Sequence, residues 1–163
     1  MGEKNAAAVP GRIVELLRNS PKWPKIVDEI VRIEKRAFPK HESLAQSFNE
    51  ELRKKNAGLL YMEAENGEVA GYVMFSWPSS LSASITKLAV KEKYRREGIG
   101  EALLKGAIQK CRGRNVQRVS LHVDPSRTPA VKLYEKLGFQ VDALVEGYYS
   151  VDRSAYRMYI DFD

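Results

Sequence analysis

The run Leu88-Ala89-Val90-Lys91-Glu92-Lys93-Tyr94-Arg95-Arg96-Glu97-Gly98-Ile99-Gly100 puts a strand-forming stretch, a basic turn and two glycines in immediate succession. Glycine lets a backbone approach a ligand closely, and the unpaired N–H groups at a helix start point outward at an anion. Aligned peptide dipoles add partial positive charge there, and Arg95 and Arg96 add full charges. On physical grounds this is a diphosphate-binding turn, although a plain turn capped by arginines satisfies the same residues. A dinucleotide fingerprint needs a third glycine near the first strand and an acidic residue about 20 positions on, and a P-loop needs Gly-Lys-Ser/Thr. Neither pattern is present. The second chemical candidate is His122, in the alternating segment Ser120-Leu121-His122-Val123-Asp124. An imidazole with an ordinary pKa of about 6.5 takes and gives protons near neutrality. A histidine hydrogen-bonded within a sheet is the alternative. The other histidine, His41, reads as a surface residue.

The elements that must hold these groups follow from periodicity. Arg12–Leu17 reads as a first strand. Ile26, Ile30, Ile33 and Ala37 recur at helical spacing and predict a helix from Pro24 to about Phe38, stopped by Pro39. Leu44, Phe48 and Leu52 predict a second helix from Ser43 to Lys55. The period then changes. Leu59–Ala64 and Val69–Trp77 flank Glu65-Asn66-Gly67-Glu68, a strong hairpin signal, and Ser84–Val90 is a third strand of this meander. Gly98 opens an amphipathic helix with Ile99, Ala102, Leu103, Ala107 and Cys111 on one side. Val116–Val123 follows as a strand, and Pro129–Leu137 as a helix closed by Gly138. Phe139–Val145 and Ala155–Phe162 are the final strands, with Glu146–Arg153 expected as the loop between them. Hairpins first and β-α-β units later predict an α/β (α+β) chain with a mixed sheet of about seven strands flanked by about four helices.

Composition sets the frame for these elements. The 163 residues, 44% hydrophobic and 29% charged, suit one globular domain over 10–163 behind a loose tail over 1–9. No apolar run reaches the ~20 residues of a membrane helix, and the start lacks the apolar core of a secretory signal. The lone Cys111 forms no internal disulfide, so a reducing, cytoplasmic setting is expected, with the nucleus equally compatible. The net charge of +6 favours an anionic partner. On charge alone a mixed, solvated surface with a basic lean is the simpler reading; the basic runs are short, and only Arg95-Arg96 sits in a context that calls for phosphate, so nucleic acid is disfavoured.

Beyond the physical reading, Arg95-x-x-Gly98-x-Gly100 resembles the acyl-CoA pyrophosphate loop of the GNAT acetyltransferase superfamily. Ala130-Val131-Lys132-Leu133-Tyr134-Glu135-Lys136-Leu137-Gly138-Phe139 resembles that family's second signature, a helix ending Leu-Tyr-x-x-x-Gly-Phe. The order of elements agrees over roughly residues 10–163. Glu34-Lys35-Arg36-Ala37-Phe38-Pro39 and Glu146-Gly147-Tyr148-Tyr149 are similar to the two facing loops of the N-terminal acetyltransferase subgroup, including the bacterial RimI type.

The resemblance implies acetyl-CoA as co-substrate and no metal. It implies cofactor contacts at Leu88, Ala89, Val90, Arg95, Arg96, Glu97, Gly98, Ile99 and Gly100, with the Val90 N–H facing a developing oxyanion. It further implies His122 as general base, Tyr134 as the acid that protonates the departing thiolate, and an acceptor clamp of Phe38, Pro39, Tyr148 and Tyr149. Arg127 stands where the family often has an asparagine and is a candidate contact to CoA phosphate or a solvated arginine. Ser84 stands where some relatives carry a tyrosine that assists the histidine, which leaves Tyr61 or Tyr72 as possible helpers. The expected reaction is direct acetyl transfer to the α-amine of a peptide or protein N-terminus. Deprotonating an α-amine of pKa about 7.7–8.0 near pH 7.4 costs roughly 0.4–0.8 kcal/mol, against about 4 for lysine, so a modest base suffices. A polyamine, another small amine or a lysine side chain is the competing acceptor, with Glu34, Glu42, Glu146 and Asp152 as a source of local acidity. A non-catalytic acyl-CoA or nucleic-acid binder is the alternative of another class.

Overall fold

The computed structural model describes residues 11–38 and 48–162. Its strands are β1 (Arg12–Glu15), β2 (Ala57–Glu63), β3 (Val69–Ser76), β4 (Ser82–Val90), β5 (Arg118–Val123), β6 (Gln140–Ser150) and β7 (Arg153–Asp161). The helices are α1 (Trp23–Ala37), α2 (Phe48–Arg53), α3 (Ile99–Arg112) and α4 (Thr128–Lys136). Pro39, His41, Glu42 and the first part of the expected second helix lie outside the described residues.

The seven strands form one sheet in the order β1-β2-β3-β4-β5-β7-β6. Neighbours are antiparallel except β4 and β5, which run parallel, so the expected mixed sheet is present. A core covers each face. Ile26, Ile30 and Ile33 of α1 close over Leu59, Tyr61, Tyr72 and Met74 on one side. Leu103, Leu104, Ala107 and Cys111 of α3 close over Leu60, Val73, Ile85, Val119 and Leu121 on the other, which Tyr134 and Phe139 extend. The alternation of side chains along each strand feeds both cores.

Two irregularities shape the middle of the sheet. Pairing of β4 with β5 extends only from Ser82↔Arg118 to Ile85↔Leu121. Beyond it β4 stays with β3 as far as Val90, while β5 stays with β7 as far as Val123, so the two strands part. At the parting point β4 carries a bulge: Met74 faces Lys87 and Phe75 faces Ile85, and Thr86 between them donates its hydroxyl to the Met74 carbonyl at 2.9 Å. A bulge inserts one residue and shifts the side-chain phase. Ala83 and Ile85 therefore face α3, whereas Lys87 and Ala89 face α1.

The segment joining the last two strands departs from expectation. Residues 146–150, read as loop from their glycine and polar content, continue β6, and pairing resumes at Ser150↔Arg153 after an irregularity beyond Val145. Gly147 takes φ +67°, a left-handed turn open to glycine, and lets the strand bend without ending.

Candidate active site

The basic turn folds as a compact anion cradle. A short 3-10 turn, Glu92–Tyr94, is followed by Arg96 at φ +67° and Gly98 at φ +81°. Left-handed geometry at Arg96 is uncommon for a residue with a Cβ. It turns the chain sharply ahead of α3, where the Ala102 N–H donates to the Gly98 carbonyl at 3.0 Å. The N–H groups of Ile99, Gly100 and Glu101 thus precede the first intrahelical bond, and no side chain caps them. A Cβ on Gly100 would lie 3.7 Å from Val90 and 3.8 Å from Leu133, so the position has room on its open side. Arg95 and Arg96 are exposed beside these donors. This donor set fits a diphosphate.

Glu68, in the β2–β3 hairpin, braces the turn from behind. Its carboxylate accepts Lys91 at 2.9 Å, Lys93 at 3.0 Å and the Tyr94 hydroxyl at 2.8 Å. The Lys91 bond, aided by Asn66, Lys93 and Tyr94, holds its carboxyl well below the ordinary range. Nothing in the sequence spacing distinguishes Glu68 from an ordinary hairpin residue.

Where β4 leaves β5, the backbone of Val90 faces the gap. Lys91 donates its N–H to Ala70 at 2.8 Å, and antiparallel alternation turns Val90's polar groups away from β3. Its carbonyl accepts Arg95 Nε at 3.1 Å, which ties the strand end to the turn. Tyr134, on α4, is buried on the α3 side, edge-on to Phe139. Burial pushes its phenol up to about 12, with the Arg127 charge acting in opposition. The hydroxyl therefore keeps its proton and serves as a donor.

The other face of the gap holds the remaining candidates. His122 alternates with Leu121 and Val123, which lie in the α3-side core, and so projects from the opposite face. Its ring stacks on Tyr148 with centroids 4.2 Å apart and planes 9° off parallel, and Tyr149 meets Tyr148 edge-on at 4.9 Å. Burial first, and then Arg157 across from it on β7, depress the imidazole pKa. Neither Tyr61 nor Tyr72 serves as the helper considered for it. Both belong to the core under α1, and Tyr72 gives its hydroxyl to Glu34. Tyr148 is the aromatic partner instead. Ser84 lies 3.5 Å from Ser120, hydroxyl to hydroxyl.

Phe38 ends α1 in extended conformation, its N–H on the Glu34 carbonyl. Lys87 Nζ lies 3.8 Å from its ring centroid and the Arg127 guanidinium 4.9 Å from it. Arg127 also donates to the Ala37 carbonyl at 3.2 Å. Arg127, a candidate contact to CoA phosphate or a solvated arginine, thus donates to the end of α1. Glu34 is fully buried, bonded to Tyr72 and 3.7 Å from Lys87 Nζ. It is a compensated charge rather than open acidity, while Glu146 and Asp152 are exposed. Lys87 escaped the sequence reading because plain alternation along β4 puts it on the face of Ile85; only the bulge brings it to Phe38. A cavity of about 170 Å³ between Leu16, Trp23, Leu52, Phe75 and Trp77 contains none of these residues.

A seven-stranded sheet parting at β4 and β5, with an anion-binding turn at the mouth of the gap, defines a class of acyl-group transferases. Residues 23–139 match the acetyltransferase (GNAT) family, and the chain belongs to that family. An N-alpha-acetyltransferase of Sulfurisphaera tokodaii is 35% identical over 144 residues, spanning 81% of this chain and 85% of that protein. The crystal structure of Ard1 from Thermoplasma volcanium superposes with a TM-score of 0.79 at 28% identity, over 95% of this chain and 99% of that one. The ribosomal-protein-S18-alanine N-acetyltransferase of Escherichia coli superposes with a TM-score of 0.77 at 25% identity, over 92% of each chain.

Proposed function

We propose that this chain transfers the acetyl group of acetyl-CoA to the α-amine of a peptide or protein N-terminus. The observation that carries this reading is the gap beyond Ile85 and Leu121. It opens to the anion-binding turn and Tyr134 on the α3 side, and to Phe38, His122, Tyr148 and Tyr149 on the other. A co-substrate held on one face thus meets an acceptor arriving from the other. Relatives named for transfer to α-amines or to the alanine of protein S18 support the choice of acceptor. A polycationic acceptor is disfavoured by what borders Phe38: the Arg127 guanidinium stands beside its ring, and Glu34 is paired with Lys87 and Tyr72.

In this reading the first turn of α3 and Arg95–Arg96 hold the pyrophosphate. Bound acetyl-CoA supplies an activated acetyl thioester. The Val90 N–H, turned into the gap, donates to the carbonyl oxygen as negative charge develops there. The Phe38 and Tyr148–Tyr149 walls orient the amine, and Pro39 is assigned to the same clamp from its place beside Phe38. His122 takes the ammonium proton, directly or through a water, and Tyr134 Oη gives a proton to the departing thiolate. The reaction needs no acyl-enzyme, and Cys111 is buried away from the site.

The test is incubation of the protein and acetyl-CoA with a pool of free-amino-end peptides, amino-blocked lysine peptides and polyamines, with mass spectrometry to locate the acetyl group. Acetylated α-amines are expected. Product on lysines or polyamines alone would overturn the acceptor assignment and leave the fold and co-substrate standing.

A further inference from the structure

The acceptor side of the gap is unevenly charged, and the imbalance centres on Arg127. Among the described residues, the carboxylates near it are already matched. Glu34 is buried against Tyr72 and Lys87. Asp124 accepts Arg153 at 2.5 Å and the Ser126 hydroxyl at 2.7 Å. Arg127 has no carboxylate partner among the described residues. Of its five guanidinium N–H donors, one goes to the Ala37 carbonyl, and the plane stands 4.9 Å from the Phe38 ring. Its backbone is fixed at both ends of a turn: the Arg127 N–H donates to Asp124 at 2.9 Å, and the Arg127 carbonyl accepts Val131 at 3.0 Å as α4 begins. Its charge is felt at Tyr134, Tyr149 and Lys87, which border the reacting centre from three elements. A half-buried guanidinium held in place, with most of its donors unspent, is the geometry that recognises a carboxylate through paired hydrogen bonds.

We propose that Arg127, beside the Phe38 ring, selects acceptors carrying an acidic side chain in their first two residues. The inference rests on the α-amine acceptor reading above. An Asp or Glu side chain lying along Phe38 would meet the Arg127 guanidinium as a carboxylate partner, whereas a Lys or Arg side chain would meet a like charge. A neutral amide of the same shape would meet neither the attraction nor the repulsion.

The experiment compares kcat/KM for matched peptides with Glu, Gln or Lys at position one, and again at position two. At one of these positions the Glu peptide is expected to exceed its Gln counterpart by about tenfold, as one charge-assisted pair provides, with the Lys peptide poorest. Arg127→Gln should bring the Glu-to-Gln ratio close to one, Arg127→Lys should keep part of it, and Arg127→Glu should favour the Lys peptide. Circular-dichroism melts identify variants that retain the fold, and the Lys variant carries the test if the Glu variant does not fold. Equal rates for the three wild-type peptides would overturn the proposal while leaving α-amine transfer intact. A raised KM for acetyl-CoA in Arg127→Gln with an unchanged peptide ratio would also overturn it, returning Arg127 to the co-substrate. Failure of every peptide to accept acetyl would overturn the α-amine reading and the preference together.

Discussion

In the proposed reaction His122 is the group that accepts the ammonium proton. Its ring stacks on Tyr148 and faces Arg157; burial first and the Arg157 charge second hold its pKa below that of a free imidazole. A depressed pKa keeps the basic, neutral form populated to more acidic pH. From the sign of that shift, kcat/KM should fall with unit slope below the acceptor pKa of about 8, and steepen only below about 6.5, where His122 protonates. His122→Gln should lower kcat/KM by roughly 100-fold and abolish the steeper limb in a pH–rate profile. Tyr148→Ala removes burial from the imidazole, so the acid inflection should move upward, while Tyr148→Phe keeps the stack and should leave it in place. In the proposed reaction Tyr134 serves the departing thiolate. Tyr134→Phe should reduce kcat by about 10² or more, with acetyl-CoA affinity measured by calorimetry little changed, because the proposed role uses the hydroxyl in the transition state and not to hold the pyrophosphate.

At the scale of elements, the turn before α3 depends on a hairpin two strands away. Glu68 gathers Lys91, Lys93 and Tyr94, and its low pKa keeps the carboxylate charged at any pH where an amine is acylated. Glu68→Gln should raise KM for acetyl-CoA by about three- to tenfold through a loosened turn, with the peptide KM little affected, in steady-state kinetics varying each substrate. The helix behind the turn holds its position by packing. Leu103 is fully buried between α3 and the sheet, so Leu103→Ala should cost about 2–5 kcal/mol in a urea titration.

Across the whole molecule, the sheet separates two cores, and the site sits where its two halves part. Cys111 lies deep in the α3-side core, fully buried, with its thiol pushed up to about 11 by burial. The folded protein should therefore resist maleimide, and labelling should follow the denaturant-induced unfolding curve. Labelling ahead of the circular-dichroism transition would show that α3 opens on its own. No helix among the described residues is long and apolar enough to cross a membrane.

Much of this was legible in the linear chain because it is local. The isoleucine spacing in Ile26–Ile33 specifies the buried face of α1, Asn66-Gly67 specifies the hairpin, and Arg95-x-x-Gly98-x-Gly100 specifies an anion turn, since each depends on residues within a turn or two of one another. What the chain order left open depends on partners far apart in sequence. The Thr86 bulge reverses the phase of β4 and delivers Lys87 to Phe38, although alternation by itself assigns it to the opposite face. β6 continues through Tyr149 across the irregularity between Val145 and Ser150, and this stretch carries Tyr148 onto His122, which lies on another strand. Arg127 reaches Ala37, 90 residues earlier, only because β5 and the end of α1 border the same gap. The sequence by itself determined the elements and the anion-binding turn, through short-range periodicity and backbone preference. Tertiary structure alone decided that Lys87 and Arg127 meet Phe38, because strand register and the parting of β4 from β5 are set by contacts that no local pattern encodes.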